Sequence, residues 1–179
     1  MRVFLTIIAG FIRLVDGLNE GLGRVLAWLS LGMVVVTFLI VVLRYGFNQG
    51  WIAVQESVIY MHAWLFMLGS AYALKHGAHV RVDIFYRRFR PKVRAWIDFL
   101  GTWLLLLPMC GFVFWSGLDY VTASWAIQEA SREAGGLHAV FLLKSAILGL
   151  AVTLGLQGVA EGSKALLVIL GQTLGKDGR

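Results

Sequence analysis

The sequence predicts an all-α integral membrane protein with four transmembrane helices, an amphipathic N-terminal segment and a short amphipathic connector between helices 2 and 3. The first observation behind this prediction is composition. Of the 179 residues, 59% are hydrophobic and 15% are charged, whereas soluble domains are about half apolar and about one quarter charged. The second observation is the presence of four apolar stretches, each close to the roughly 20 residues that a helix needs to cross a bilayer. We therefore expect a single four-helix membrane domain in residues 1–179.

The N-terminal segment, residues 1–24, has an amphipathic pattern. Apolar side chains recur at the period of a helix, and charged side chains occupy the other positions. We expect a helix on the membrane surface that leads into the first span. A cleaved signal peptide is the alternative, and it is disfavoured because no convincing small-x-small cleavage site precedes that span. The apolar positions are Val3, Phe4, Ile7, Ile8, Phe11, Ile12, Val15, Leu18 and Leu22.

The spans themselves are joined by short connections. Pro108 lies near the middle of the third span and predicts a kink, because proline lacks an amide hydrogen and its ring clashes with the preceding turn. In the connector before that span, Asp83 is a natural N-cap for a short helix on the membrane surface. The four predicted spans cover about residues 25–43, 52–74, 96–118 and 139–160.

Positive charge is concentrated in one connection. Residues 75–94 contain seven Lys or Arg residues and one Asp, a surplus equal to the net charge of +6 of the whole chain. Basic loops stay on the cytoplasmic side of a membrane, so we expect this segment and both termini in the cytoplasm. The same basic patch favours contact with anionic phospholipids over binding to nucleic acid. The candidates for contact with the lipid surface are Arg87, Arg88, Arg90, Lys92 and Arg94.

Charged side chains at membrane depth cost about 2.5–3.5 kcal/mol at the centre of a span, so each needs an explanation. Arg44 and Glu56 flank the short turn between the first two spans, and we expect them to form an ion pair across it. Two alternatives stay open: contact with a partner protein, and a proton-coupled carboxylate at Glu56. Lys144, just inside the fourth span, either extends toward the membrane surface or pairs with an acid on another helix or subunit.

The histidines do not form a cofactor site. A haem held by two histidines needs a second histidine at the depth of His62, and none of the others lies there. We expect His62 to be hydrogen-bonded between helices. His76 and His79 have a spacing that suits a metal, but Gly77 between them favours a turn. Because the sequence also has no phosphate loop, nucleophile–base pair or metal cluster, we expect no cofactor and no enzyme activity.

Small residues on two spans predict helix-packing faces. Lipid tails are as apolar as leucine, so helices in a bilayer associate through close packing rather than through burial from water. Small side chains allow the backbones to approach each other. They recur as Gly69 with Ala73 on the second span, and as Ala146, Gly149 and Thr153 on the fourth.

A longer motif covers the second span and both of its ends. It comprises Arg44, Asn48, Trp51, Glu56, Trp64-Leu65-Phe66, Leu68-Gly69-Ser70-Ala71 and His76-Gly77-Ala78-His79-Val80-Arg81-Val82-Asp83, with Lys144, Gly149 and Gln157 on the fourth span. This pattern resembles the small membrane subunit of tripartite ATP-independent periplasmic (TRAP) transporters, the DctQ-like family, over nearly the whole chain beyond residue 24. On this resemblance, the structural or partner-interface candidates are Arg44, Trp51, Glu56, Gly69, His79, Asp83, Lys144 and Gln157.

If both termini are cytoplasmic, the turn 45–50 and the loop 119–137 face outward. Two departures from the family pattern concern this outer face. Family members often carry two acids where this chain has Gln55-Glu56. Many also have a proline before the last span, where this chain has Gly136-Leu137-His138-Ala139. Both departures bear on detailed claims about the outer face and leave the family resemblance intact.

The resemblance implies a small permease subunit in the bacterial inner membrane, part of a sodium-coupled transporter for an organic acid such as a dicarboxylate, sialic acid or a similar carboxylate. Its implied partners are a large permease subunit, for which it is a stationary scaffold in a stable complex, and a periplasmic substrate-binding protein that contacts it transiently. Two alternatives stay open on the residues alone. One is an autonomous small transporter that uses Glu56, and the other is a haem-free membrane anchor of a redox complex.

Overall fold

The computed structural model describes residues 2–78, 86 and 88–172. Four helices account for most of these residues, and no β-strand occurs among them. All four are long and apolar enough to cross a membrane, so the predicted all-α fold with four spans is confirmed. The amphipathic connector predicted around Asp83 lies largely outside the described residues. The helices are α1 (Arg2–Gly46), α2 (Ile52–Lys75), α3 (Pro91–Ala126) and α4 (Val140–Ile169).

Helix α1 is much longer than the first predicted span. It continues without a break for 45 residues, or about 67 Å at 1.5 Å per residue, which is more than twice the roughly 30 Å of a hydrocarbon core. No helix end marks the boundary expected near residue 24. On the N-terminal half, Ile12 and Val15 are buried against Ala160 and Leu167 of α4. One face of the amphipathic segment therefore packs on protein.

Helix α3 contains a π-helical turn at the position where proline disturbs the hydrogen-bond ladder. Residues Thr102–Leu106 form this turn, between the α-helical stretches Pro91–Gly101 and Leu107–Ala126. Pro108 has no N–H to donate to the preceding turn, and its ring crowds the carbonyl of the residue four positions earlier. A π-turn widens the backbone at that point, and such turns are a recognised cause of helix kinks.

Helix α3 also runs about two turns beyond the predicted end of its span near residue 118. Hydroxyl side chains in the extension are compatible with a helix because they donate to carbonyls of their own helix, as Thr122 Oγ1 does to Leu118 O at 2.9 Å. The helix ends at Ala126, and Gln128 follows with a φ of 47°. The amide of Glu129 then donates to Ser124 O at 3.0 Å, which closes the last turn.

Helix α4 is the central helix, since it packs against α1, α2 and α3. Small residues make these close approaches possible. A Cβ added to Gly149 would lie 3.1 Å from Leu68 of α2, and one added to Gly158 would lie 2.9 Å from Leu106 of α3. The small residues buried along this helix are Ala146, Ala151, Gly158, Ala160, Gly162 and Ala165.

The arrangement of the four helices is open. The accessible surface is 12375 Å², whereas a compact soluble protein of this mass exposes about 8,600 Å². Large apolar side chains such as Phe38 of α1, Phe66 of α2 and Phe112 of α3 are largely exposed. These broad apolar faces need lipid or another membrane protein to cover them.

Candidate functional site

Two clusters of polar side chains lie near the two ends of α4. The "loop cluster" comprises Glu56, Ser124, Glu129, Ser131, Leu137 (through its amide) and Lys144, and it surrounds the connection 127–139. The "terminal cluster" comprises Asp16, Asn19, Gln157, Glu161 and Lys164. From Lys144 to Lys164 the helix rises about 30 Å, the thickness of a hydrocarbon core. The two clusters therefore lie at about the two membrane boundaries.

In the loop cluster, Glu56 of α2 is bonded to the connection between α3 and α4. One carboxylate oxygen accepts a short hydrogen bond from the Ser131 hydroxyl, and the other accepts from the amide of Leu137 at 2.6 Å. The amide of Ser131 donates to the carbonyl of Leu137 at 2.9 Å, which closes the connection on itself. A Cβ added to Gly136 would lie 2.9 Å from Glu56 Oε1. Glycine at 136 thus permits the approach of the carboxylate.

The ion pair predicted between Arg44 and Glu56 is wrong. Within the described residues no salt bridge joins the two side chains, and Arg44 lies exposed in the last turn of α1. Both flank the same short turn, but Glu56 is directed toward the connection 127–139, where a hydroxyl and a backbone amide already satisfy it. Similar depth in a hairpin does not determine the direction in which a side chain leaves its helix.

Lys144 is the second charged group of the loop cluster. Its Nζ lies 2.5 Å from Glu129 Oε2 and 3.9 Å from the centroid of the Tyr120 ring. The Ser124 hydroxyl donates to the same carboxylate oxygen at 2.6 Å. The hydrogen bond from Lys144, then that from Ser124, lowers the pKa of Glu129 below its ordinary value despite partial burial. The lysine therefore has its partner within this chain.

The terminal cluster is centred on a buried amide. Gln157 is fully buried and Asn19 is 3% exposed. The side-chain oxygen of Gln157 accepts from Asn19 at 2.6 Å, and its nitrogen donates to Asp16 and Glu161, both at 2.9 Å. Lys164 completes the cluster, with its Nζ 2.8 Å from both of these carboxylates. Buried polar groups must be hydrogen-bonded, and here the bonds join α1 to α4.

A smaller polar contact joins α1 to the end of α2. Glu20 Oε2 accepts from Lys75 at 2.5 Å and lies 3.2 Å from His76 Nε2. Gly77 follows with a φ of 64°, and the amide of Ala78 donates to Ala73 O at 2.9 Å. This is a glycine-terminated helix end. His79, the other half of the possible metal pair, lies outside the described residues.

The remaining site candidates have varied surroundings. Trp51 is exposed just before α2. Gly69 faces α1, since an added Cβ would lie 3.9 Å from Leu26. Asp83 and Arg87 lie outside the described residues.

Among the basic candidates that the structure describes, Arg88, Arg90 and Lys92 are exposed. Arg94 is half-buried. Its Nε donates to Phe89 O at 2.9 Å, and its guanidinium lies 5.6 Å from the centroid of the Tyr86 ring. Three positive charges at the start of α3 are therefore free to contact the lipid surface, whereas Arg94 helps to order the chain there.

The expectation that His62 is hydrogen-bonded between helices is wrong for this chain alone. His62 is exposed on α2, and its ring lies 6.2 Å, centroid to centroid, from Phe66 on the same helix. The part of the chain that the structure describes offers no hydrogen-bond partner to it. The helix face on which a histidine lies depends on how the neighbouring helices pack, and spacing alone does not determine it.

Sequence reasoning missed most of the terminal cluster. One available signal was Asn19, which follows the buried Val15 by four positions and so lies on the same apolar face of α1. Another was the spacing of Gln157, Glu161 and Lys164 along one side of α4. Glu129 and Ser131 had no such signal, because a connection without periodicity does not predict which of its side chains turn inward.

The side chains of the two clusters bond to one another. Among the residues that the structure describes, no group of three or more His, Cys, Asp or Glu side chains could hold a metal ion. Between the clusters, the hydroxyls of Ser145 and Thr153 donate to Phe141 O and Gly149 O of their own helix, at 2.8 and 2.7 Å. The two clusters therefore join helices and loops to one another, whereas these two hydroxyls bond within α4.

Three comparisons with known proteins identify the same family or find no match. The family model for "Tripartite ATP-independent periplasmic transporters, DctQ component" matches residues 33–166. A protein named as a TRAP transporter small permease in Haemophilus influenzae is 35% identical over 75 residues, which cover 42% of this chain and 47% of that protein. The C4-dicarboxylate TRAP transporter small permease protein DctQ of Vibrio cholerae is 30% identical over 69 residues, covering 38% of this chain and 28% of that protein.

The matched segments thus span less than half of the length of each of these two relatives. No solved structure gives a significant match to the chain. The family match is wider, since it extends from the C-terminal third of α1 to near the end of α4 and includes Glu56, Lys144 and Gln157.

Proposed function

Because this chain belongs to the family of DctQ components of tripartite ATP-independent periplasmic transporters, we propose that it is the small permease subunit of a sodium-coupled transporter for an organic acid. The substrate class that we propose is a dicarboxylate, sialic acid or a similar carboxylate. In this proposal the chain is a stationary scaffold for the large permease subunit. A periplasmic substrate-binding protein contacts the assembly transiently.

The observation that carries the scaffold proposal is the open packing of the helices. In the most apolar stretch of each of α1, α2 and α3, 6% of the residues are buried. The hydrophobic core cluster of the described residues is small and lies between α1 and α4, and the helices present long apolar faces with small residues already used for contacts to α4. A large membrane partner is the natural complement of such a surface.

The bonding of the polar clusters supports the proposal that this chain does not itself transport a substrate. Proton-coupled transport through Glu56 would require its carboxylate to change partners, yet both oxygens accept hydrogen bonds from the connection 127–139. Gln157 is likewise satisfied on all sides by α1 and α4. These groups stabilise the fold, which favours the scaffold over an autonomous small transporter.

We also propose that both termini lie in the cytoplasm of a bacterium, with the loop cluster at the periplasmic face of the inner membrane. The exposed Arg88, Arg90 and Lys92 at the start of α3 support this orientation, because basic residues remain on the cytoplasmic side and attract anionic phospholipids. The test is the labelling of single cysteines by a membrane-impermeant maleimide in whole cells. Ala134→Cys, at an exposed position of the connection 127–139, should be labelled and Lys92→Cys should be protected; the reverse pattern would overturn the orientation.

The proposed stable complex is tested by co-expression with the large permease subunit. An affinity tag on the large subunit should recover the untagged small chain from detergent in a constant ratio. Recovery of the large subunit alone, after both chains have been shown to be inserted in the same membranes, would contradict the proposal.

A further inference from the structure

His62 lies near the middle of α2. It lies ten residues after Ile52 and thirteen before Lys75, the first and last residues of the helix. At 1.5 Å per residue these separations are about 15 Å and about 20 Å along the axis. A histidine side chain is far too short to reach a lipid head group from there, unlike a lysine near the end of a span. The ring therefore lies at the apolar centre of the membrane.

His62 differs from the other exposed polar side chains at similar depth. Thr37 and Ser116 each donate to a carbonyl of their own helix, both at 2.7 Å. The imidazole has no such partner within the described residues. Because lipid tails offer neither donors nor acceptors, an exposed imidazole at this depth is left unsatisfied by lipid.

His62 belongs to an exposed stripe on α2, formed by Ile52, Ile59, His62 and Phe66. The spacings of seven, three and four residues place these side chains on one face of the helix, and Ile59 and Phe66 are 58% and 68% exposed. The stripe is about 21 Å long, which is enough for contact with one transmembrane helix.

The other faces of α2 are occupied. Tyr72 lies against Gly23 of α1, so closely that a side chain at 23 would overlap its ring, and Leu68 and Trp64 lie against Gly149 of α4. The stripe is the face that remains open after both neighbours have packed. Gln55 lies half-buried on the same face near its N-terminal end, and His62, between Ile59 and Phe66, is the polar group at membrane depth that requires a hydrogen bond.

We infer that the α2 stripe contacts a transmembrane helix of the large permease subunit, and that this helix offers a hydrogen-bonding side chain or a free backbone carbonyl to His62. The inference rests on the proposed function and deepens it, since it names the contact face and the chemistry at its centre. Lipid can cover the three apolar residues, but only protein at that depth can satisfy the imidazole.

Photocrosslinking in membranes that contain both subunits tests the contact. Benzoylphenylalanine replaces Ile59 or Phe66 in the stripe, and in control variants it replaces Phe38 of α1 or Phe112 of α3, which are 65% and 73% exposed. The expected result is a crosslink to the epitope-tagged large subunit from both stripe positions, at least several-fold stronger than from the controls. Crosslinks from the controls alone would overturn the inference and leave the proposed function intact.

Two further outcomes have separate meanings. A crosslink from the stripe to a second copy of this chain would overturn the inference in favour of self-association. No crosslink from any of the four positions, together with no co-purification, would overturn the proposed function and the inference with it.

The hydrogen bond is tested separately by substitution at the centre of the stripe. His62→Leu should lower the amount of this chain recovered with the large subunit several-fold, whereas His62→Asn, which retains a donor and an acceptor, should recover most of it. Thr37→Val is the matched control, since it removes an exposed hydroxyl that bonds to its own helix, and it should change nothing. Equal recovery with His62→Leu and wild type would contradict the role of the imidazole.

Discussion

The loop cluster and the terminal cluster occupy opposite ends of one helix, yet they stabilise different parts of the molecule. The loop cluster uses partly exposed carboxylates to hold the connection 127–139 against α2 and α4. The terminal cluster uses a fully buried amide to hold α1 against α4. Both clusters pair partly exposed carboxylates with a lysine. The terminal cluster adds the buried amides of Asn19 and Gln157, which are hydrogen-bonded to each other because an unpaired polar group in an apolar medium is costly.

The largest effect is expected at Gln157, the centre of the terminal cluster. Gln157→Leu removes three interhelical or intrahelical hydrogen bonds and should lower the free energy of unfolding by about 2 kcal/mol, at about 0.6 kcal/mol for each bond in a membrane protein. The measurement is unfolding in mixed micelles of increasing denaturing detergent.

Asn19→Leu combined with Gln157→Leu provides the control for that prediction. Replacing both partners with apolar groups leaves fewer unsatisfied atoms, so the double variant should be less destabilised than the sum of the two single variants. Strict additivity would mean that the buried bond between Asn19 and Gln157 contributes nothing.

The next largest effect is expected at Gly136, in the loop cluster. Gly136→Ala places a Cβ 2.6 Å from the Cβ of Ser131 and 2.9 Å from Glu56 Oε1, so the connection must shift, at a cost of about 1 kcal/mol, the low end of the range for overpacking. Gly111→Ala, in α3 with open space around it, is the matched control and should be neutral or slightly stabilising. Equal thermal midpoints for the two variants would show that the contact around Glu56 is not tight.

The stability that the loop cluster provides should also depend on pH. The pKa of Glu129 is lowered in the folded chain, chiefly by Lys144. Its stabilising contribution is therefore fully present above the ordinary glutamate pKa of about 4.3. It is lost as the pH falls through the lower folded value.

The measurement for this prediction is the thermal midpoint between neutral pH and pH about 3, a range that brackets the ordinary carboxyl pKa values. The thermal midpoint of the Glu129→Gln variant should fall less between neutral and acid pH than that of the wild type. Lys144→Met should have the same effect, because it removes the main cause of the lowered pKa of Glu129. An unchanged decline in both variants would remove Glu129 from the explanation of acid sensitivity.

The smallest effect is expected at Arg44. Because Glu56 is bonded to Ser131 and Leu137, Arg44→Gln should leave the thermal midpoint of the isolated chain unchanged. Glu56→Gln should lower it by weakening the bonds to the connection. A loss with Arg44→Gln as large as that with Glu56→Gln would restore the ion pair that the sequence suggested.

Hydropathy was sufficient to predict the four spans, because an apolar stretch of about 20 residues has few alternatives to crossing a membrane. Pro108 likewise predicted a disturbance in α3, since its missing amide acts locally whatever the surroundings. The continuity of α1 was not predictable in the same way. The charged residues in the segment 13–24 are typical of a helix on the membrane surface. Only the packing of Ile12 and Val15 on α4 shows that the segment instead continues α1 and contacts protein.

The partners of the site residues could not be predicted from their positions in the chain. Gln157 was named as a candidate, but Asn19 and Asp16 lie about 140 residues away from it in sequence, and only the crossing of α1 and α4 brings them together. The orientation of His62 could not be predicted either. Its position in the sequence placed it at membrane depth but did not show that it faces away from the other helices of the chain. Rotation about the helix axis is set by packing against neighbours.

The most direct test of the central claim is sodium-driven uptake of radiolabelled dicarboxylates and sialic acid into proteoliposomes, in the presence of the substrate-binding protein. Three preparations are compared: this chain alone, the large permease subunit alone, and both together. A scaffold subunit predicts uptake only when both subunits are present, and none by this chain alone at any sodium gradient. Uptake by this chain alone, or full uptake by the large subunit without it, would contradict the account.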